Sequence, residues 1–147
     1  MDIRIGHQPA SLAAAWICSR LRDATRRRGV ASIALSGGGT APPMIDALLE
    51  LDVPWPTVSV WQVDERIAPD GDAARNAGQL ERLHALPCRV RLMPVTASNA
   101  RAAARRYAAT LPDRFDVVHL GIGSDGHTAS WPPGFDAIAN SARPIEI

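Results

Sequence analysis

No lysine occurs among the 147 residues; all 16 basic side chains are arginine. Schiff-base chemistry on a lysine is thereby excluded, and a phosphate could be held only by arginine, histidine or backbone N–H groups. An excess of one charge is missing as well. The 16 arginines stand against 15 acidic residues for a net charge of +1, spread without a basic stripe, so a nucleic acid is not an expected partner. Only two cysteines are present, Cys18 and Cys88, with no C-x-x-C spacing and no secretion signal ahead of them. They read as reduced, buried thiols of a cytoplasmic protein. Apolar runs of about 18 residues are lacking too, and nothing is expected to span a membrane.

What is present fits a globular domain. The chain is 46% hydrophobic and 21% charged, close to the average of folded proteins. About 150 residues suffice to bury roughly 68–70% of the surface of the unfolded chain. Residues 1–147 read as a single domain, with no internal repeat, low-complexity tract or linker.

Apolar periodicity gives the order of elements. Between Gln8 and Arg28, residues Ala10, Ala13, Ala14, Ile17, Leu21 and Ala24 recur at three- and four-residue steps, which predicts a helix ending at Gly29. Val30 to Leu35 is apolar without alternation, the pattern of a strand covered on both faces. From Ala41 to Leu51 helical spacing returns, with Pro42 and Pro43 tolerable in the first turn. The pattern continues with a strand from Thr57 to Val63, a helix from Ala73 to Leu83 and a strand from Arg89 to Val95. A helix from Ala97 to Thr110 and a strand from Phe115 to Leu120 follow. Strands alternating with helices predict an α/β fold with an open, largely parallel sheet and helices on both faces, Rossmann-like in construction.

Three polar clusters follow predicted strands, where open α/β sheets bind ligands. In Ser36-Gly37-Gly38-Gly39-Thr40, bare glycines would let backbone N–H groups approach an anion at a helix N-terminus; a tight turn needing positive φ explains the glycines equally well. The run is neither G-x-G-x-x-G nor G-x-x-x-x-G-K-[ST], so nothing in it specifies a nucleotide. In Asp64-Glu65-Arg66, followed by Arg75-Asn76, the arginine suits bidentate phosphate contact. The plainer reading is a solvated loop with a weak surface ion pair. The third cluster, Gly121-Ile122-Gly123-Ser124-Asp125-Gly126-His127-Thr128-Ala129-Ser130, is the most specific. It holds the parts of a general base with an orienting carboxylate, although near neighbours seldom join side chain to side chain and an Asp125 to His127 bond is a hypothesis. His7, His84 and His119 carry no such context and read as structural or exposed.

In order and wording these clusters resemble the 6-phosphogluconolactonase family, within the wider glucosamine/galactosamine-6-phosphate isomerase superfamily. Members read S-G-G-S-T-P, then D-E-R with a later S-N, then G-x-G-x-D-G-H-T-A-S-L-F-P-G. Here the corresponding runs are S-G-G-G-T-A, D-E-R with R-N, and G-I-G-S-D-G-H-T-A-S-W-P-P-G. The resemblance covers about Val30 to Gly134. It implies hydrolysis of 6-phospho-D-glucono-1,5-lactone to 6-phosphogluconate in the oxidative pentose phosphate pathway, without metal or organic cofactor. By the same resemblance His127 would activate water on the lactone carbonyl and Asp125 would set its state, with glycine-loop N–H groups as candidate oxyanion donors. Ser36, Gly37, Gly38, Thr40, Asp64, Arg66, Asn76, Gly123 and Gly126 would form the site for a phosphorylated sugar lactone.

Some positions depart from the family pattern. Gly39 and Ala41 stand where it has serine and proline, and Trp131-Pro132 replaces Leu-Phe. Arg75 replaces the serine before Asn76, which would add charge near the phosphate groove. The family continues beyond this chain's last residues, where Arg143 to Ile147 look like the beginning of a strand, so the chain is expected to correspond to an amino-terminal part. Two alternatives stand beside the lactonase. One is a glucosamine-6-phosphate deaminase-like isomerase using Asp64 in proton abstraction, although such enzymes typically read G-H-x-A-F-N-E-P. The other is a truncated, non-catalytic sugar-phosphate binder.

Overall fold

The computed structural model describes residues 3–134; the strand expected at Arg143 to Ile147 lies outside them. The first helix, α1 (Pro9–Arg28), stops where glycine allows the chain to turn. Gly29 adopts φ 77° and returns its N–H to Thr25 O at 2.8 Å, the left-handed C-terminal cap that a side chain would disfavour. Strand β1 (Ala31–Leu35) leads into α2 (Ala41–Leu49), whose two prolines lie in the first turn, and β2 (Val58–Gln62) follows. Strand β3 (Arg89–Arg91), helix α3 (Ala100–Ala108) and strand β4 (Val117–His119) complete the α-helices and strands among the described residues.

All four strands run parallel in the order β3-β2-β1-β4. Alternation along the central strand separates two cores. Ile33 and Leu35 pack with Ile17, Leu21, Met44, Ile45 and Leu48 of α1 and α2. Ala34 faces the opposite way, with Trp61 of β2 and Tyr107 of α3. Helices therefore cover both faces, and the sheet is as open and parallel as expected. None of the helices among the described residues is long and apolar enough to cross a membrane.

Four expectations need correction. Instead of an α-helix over Ala73 to Leu83, residues Asn76–Ala85 form a 3₁₀ segment. Its buried anchors, Leu80 and Leu83, are three residues apart, a spacing that the three-residue turn accommodates as readily as the α-helix does. The strand expected to run from Arg89 to Val95 ends at Arg91, because the Gln62 side chain takes the Met93 N–H at 2.6 Å and draws the chain out of the ladder. Cys88 is only half-buried at the start of this edge strand, whereas Cys18 is fully buried; both are free thiols. The last helix is shorter than its apolar pattern because Asn99 caps it, its side chain accepting the Ala102 N–H at 2.9 Å.

The chain leaves β1 toward β2 on one side and returns through β4 on the other. The carboxyl ends of β1 and β4 thus form the topological switch point at which open α/β sheets hold their ligands.

Candidate active site

Each polar cluster leaves the carboxyl end of a strand. Ladder bonds continue past the strands to place them: Ser36 N–H donates to His119 O at 3.2 Å and Val63 N–H to Leu35 O at 2.9 Å. Between the clusters lies a cleft of about 330 Å³, at the small end of the range for small-molecule sites. Its walls include Ser36, Gly37, Gly38, Thr40, Asp64, Arg66, Asn76, Gly123 and His127, together with Gly39, Gly121, Ile122 and Ala129. Among the candidate residues, Asp125 and Gly126 do not line it.

Asp125 nevertheless engages His127. Its Oδ1 lies 2.6 Å from His127 Nδ1 and also accepts the His127 backbone N–H at 3.1 Å. The His127 backbone N–H, and after it the imidazole, hold the exposed Asp125 carboxyl below its usual range. An ionised carboxylate only accepts, so in the neutral imidazole Nδ1 carries the shared proton and the lone pair falls on Nε2. Gly123 makes room for this pair. A Cβ at Gly123 would collide with the His127 ring and lie 2.8 Å from Asp125 Oδ1.

Two glycine N–H groups of this loop are already engaged. Gly123 N–H donates to His127 O at 2.8 Å and Gly126 N–H to Gly123 O at 2.9 Å. Gly126 adopts φ 88°, so both glycines shape the loop and hold its hydrogen bonds internally. This removes them as oxyanion donors in this conformation.

In the first loop, Gly38 takes φ 102° and its N–H donates to the Gln79 side-chain oxygen at 3.1 Å. An amide oxygen thus occupies the donor that an anion would seek. Gly37 is glycine for another reason: a Cβ there would overlap the Asn76 amide. Asn76 is itself buried and donates from Nδ2 to Asp64 O at 3.1 Å. It ties the second loop to the first.

Glu65, absent from the expected site, organises this region. Its Oε1 accepts from Arg66 N–H at 2.8 Å and Asn76 N–H at 2.7 Å. Its Oε2 accepts from Gln62 Nε2 at 2.8 Å and Ala77 N–H at 2.9 Å. Burial alone would raise this carboxyl, yet the donors from Gln62, Arg66, Asn76 and Arg75 outweigh it and hold the group below its ordinary value. Arg75 is accordingly not a phosphate ligand in waiting. Its side chain is 6% exposed; Nη1 donates to Ala68 O at 2.9 Å and pairs with Asp70 at 3.0 Å, while Nε stands 3.1 Å from Glu65 Oε2. The exposed arginine at the cleft is Arg66, held to Ala74 O at 3.2 Å through Nη1.

Asp64 is buried, and its Oδ2 accepts the Ser130 hydroxyl at 2.8 Å. Its Oδ1 is buried without a hydrogen-bond partner. Among the described residues, no group of three or more His, Cys, Asp or Glu side chains is placed to hold a metal ion.

A doubly wound parallel sheet, with a glycine loop and a histidine–carboxylate pair meeting at its switch point, has the construction of small-molecule α/β enzymes. Over residues 7–146 the chain matches the family of Glucosamine-6-phosphate isomerases/6-phosphogluconolactonase, and it belongs to that family. It is 34% identical over 97% of its length to the 6-phosphogluconolactonase of Rhizobium meliloti (strain 1021), of which it covers 66%. It is 38% identical over 93% of its length to that of Mesorhizobium japonicum, of which it covers 60%. The crystal structure of a 6-phosphogluconolactonase from Shewanella baltica OS155 superimposes with a TM-score of 0.75 at 32% identity, covering 83% of this chain and 55% of that one. The chain therefore spans somewhat under two thirds of the length of these relatives.

Proposed function

We propose that this chain carries the lactonase site of its family and hydrolyses 6-phospho-D-glucono-1,5-lactone to 6-phosphogluconate. The observation that supports this best is the Asp125–His127 pair at 2.6 Å, with His127 facing the same cleft as the glycine loop. With Nδ1 engaged by Asp125, Nε2 is the base. It takes a proton from water as the water oxygen bonds to the lactone carbonyl carbon. The oxyanion collapses, the ring ester C–O bond breaks, and His127 returns the proton to the departing ring oxygen. One water is consumed and a hydroxy acid is formed, without a redox step.

The phosphate serves as a handle rather than a reactant. Held near the glycine loop and Arg66, it fixes the ring so that carbonyl and water meet in a reactive geometry. A phosphate oxygen is a stronger acceptor than an amide, and it would take over the Gly38 N–H now held by Gln79. Hydrolysis of an activated ester needs only a positioned base and modest electrostatic help.

The test is lactone hydrolysis by the purified 147-residue chain. Substrate would be generated in place, product coupled to 6-phosphogluconate dehydrogenase, and spontaneous hydrolysis subtracted. Acceleration above background supports the proposal; a cooperatively folded chain giving none contradicts it.

Gly123→Ala provides a further check on the geometry. Gly123 does not adopt positive φ, so alanine adds volume without backbone strain, and that volume falls on the His127 ring. Displacing a catalytic group by about 1 Å can lower the rate on the order of 10²-fold, and kcat/KM is expected to fall by that much. The urea midpoint should barely move, because the loop is exposed. Wild-type turnover in this variant would show that the observed His127 placement is not the one the reaction uses.

A further inference from the structure

The loops after β2 and β4 belong to strands that are not neighbours. With β1 between them, their axes are about 10 Å apart, two strand spacings. The Ser130 hydroxyl to Asp64 Oδ2 hydrogen bond, at 2.8 Å, nevertheless joins them, 66 residues apart in sequence. Among the described residues it is the one side-chain hydrogen bond between the two loops, and it passes over the end of β1, where the glycine loop begins.

The backbone is set to make this bond. Ala129 is the single non-glycine residue with positive φ among those described, at 52°. The left-handed region is disfavoured for a residue with a Cβ, and such conformers persist where surrounding contacts demand them. On either side the turn is fastened, with Thr128 paired to Ile122 and to Trp131 and its hydroxyl donating to Gly121 O at 3.2 Å. Ala129 itself lines the cleft, so the strained step separates His127 from Ser130 at the cavity wall.

The bond leaves Asp64 half satisfied. Oδ2 has the Ser130 donor, whereas Oδ1 is buried with no partner in a residue that lines the cleft. A buried carboxylate oxygen without a donor is costly, and the missing donor is what a polyhydroxylated ligand supplies. We infer that Ser130 is a positioning residue: by holding Asp64 Oδ2 across the end of β1, it presents Oδ1 as the acceptor for one ring hydroxyl of the sugar lactone. The same bond keeps the His127 loop closed over the phosphate end of the site. Discrimination then comes from the unmet acceptor, because a ligand lacking that hydroxyl leaves Oδ1 unpaired.

This inference rests on the lactonase reading, and the experiment separates the two. Turnover of 6-phosphogluconolactone and of its monodeoxy analogues, one for each ring hydroxyl, would be measured for the parent chain, Ser130→Ala, Ser130→Thr and Ser130→Val. On the full lactone Ser130→Ala should lower kcat/KM by about tenfold or more, as expected for losing alignment of a charge-assisted hydrogen bond. On the one deoxy lactone that lacks the Asp64 partner, the same substitution should change little. Threonine, which keeps a hydroxyl, should restore most of the loss, and valine, similar in volume, should not. Equal losses on every lactone would mean that Ser130 only stabilises the loop, and would overturn the inference. An unaffected Ser130→Ala in an active parent would do so as well, while leaving the lactonase reading intact. A folded parent without turnover would remove the lactonase reading, and the inference with it.

Discussion

Replacing His127 by alanine is expected to lower kcat/KM for lactone hydrolysis by about 10² to 10⁴, the usual contribution of a positioned general base. The fall should appear in kcat. His127 acts on water as the tetrahedral species forms, an interaction made in the transition state and not with bound substrate, so KM should change little. Residual acceleration is expected, since positioning by the first loop and Arg66 survives. Folding should survive too, because the side chain is half-exposed and pairs with the still more exposed Asp125. Urea unfolding of variant and parent should overlap.

An arm with Asp125→Asn refines this expectation. Asparagine keeps the shape but can offer an N–H to Nδ1, favouring the tautomer with its proton on Nε2 and no lone pair there for water. A loss approaching that of His127→Ala would show that Asp125 acts by setting the tautomer. If His127→Ala retains full turnover, the proposed mechanism is wrong whatever Asp125 does.

The sequence made local features visible and hid those that join distant segments. Val30 to Leu35 reads as a strand buried on both faces because its apolar run lacks polar alternation, and Gly29 reads as a helix stop because its freedom at positive φ is a property of the residue itself. The His127 loop was recognisable from its packed glycines and hydroxyls. Glu65 was not: two of its backbone donors, Asn76 and Ala77, lie 11 and 12 residues away, and an acid beside another acid looks like a solvated loop. The usable signal was a second acidic residue leaving an apolar strand shortly before a turn rich in unsatisfied N–H groups. Arg75 was misplaced for the same reason, since a charge next to Asn76 suggests the phosphate groove unless its buried counter-ion is known. The 3₁₀ segment Asn76–Ala85 could not be told from an α-helix because Leu80 and Leu83 satisfy either period. Gln79 at the first loop and Ser130 at Asp64 are products of sheet order, which depends on the crossover past β1 and not on any short motif.

Glu65→Ala should be the most destabilising single substitution in this region, and it tests whether the cleft is built around that carboxylate. The side chain is fully buried and receives four hydrogen bonds beside the Arg75 guanidinium. Removing it leaves several donors unpaired and the buried Arg75 guanidinium with only the exposed Asp70 as counter-ion; breaking a buried ion pair by removing one partner typically costs about 3–5 kcal/mol. Against a total stability of about 5–15 kcal/mol, urea unfolding should show a large drop in midpoint, and the second loop should loosen even where the chain stays folded. Glu65→Ala combined with Arg75→Met should cost less than the sum of the single substitutions, since the stranded cation is then gone. Additive losses would show that the carboxylate acts mainly on the backbone N–H groups. The pH dependence has a definite sign. The folded-state pKa of Glu65 lies below its ordinary value of 4.5, so its contribution is complete above that value and fades as pH falls through the lowered folded value. Asp116 reinforces this trend. Burial would raise its carboxyl, but Arg28 and the Ser32 N–H and hydroxyl outweigh that and depress it. The parent should therefore lose stability on acidification below about pH 4.5, and Glu65→Gln should lose less over the same interval because one of the depressed carboxylates is gone. An acid limb of equal slope in parent and Glu65→Gln would mean that Glu65 is not held ionised by its donors, and the buried-carboxylate account of the loop would fail.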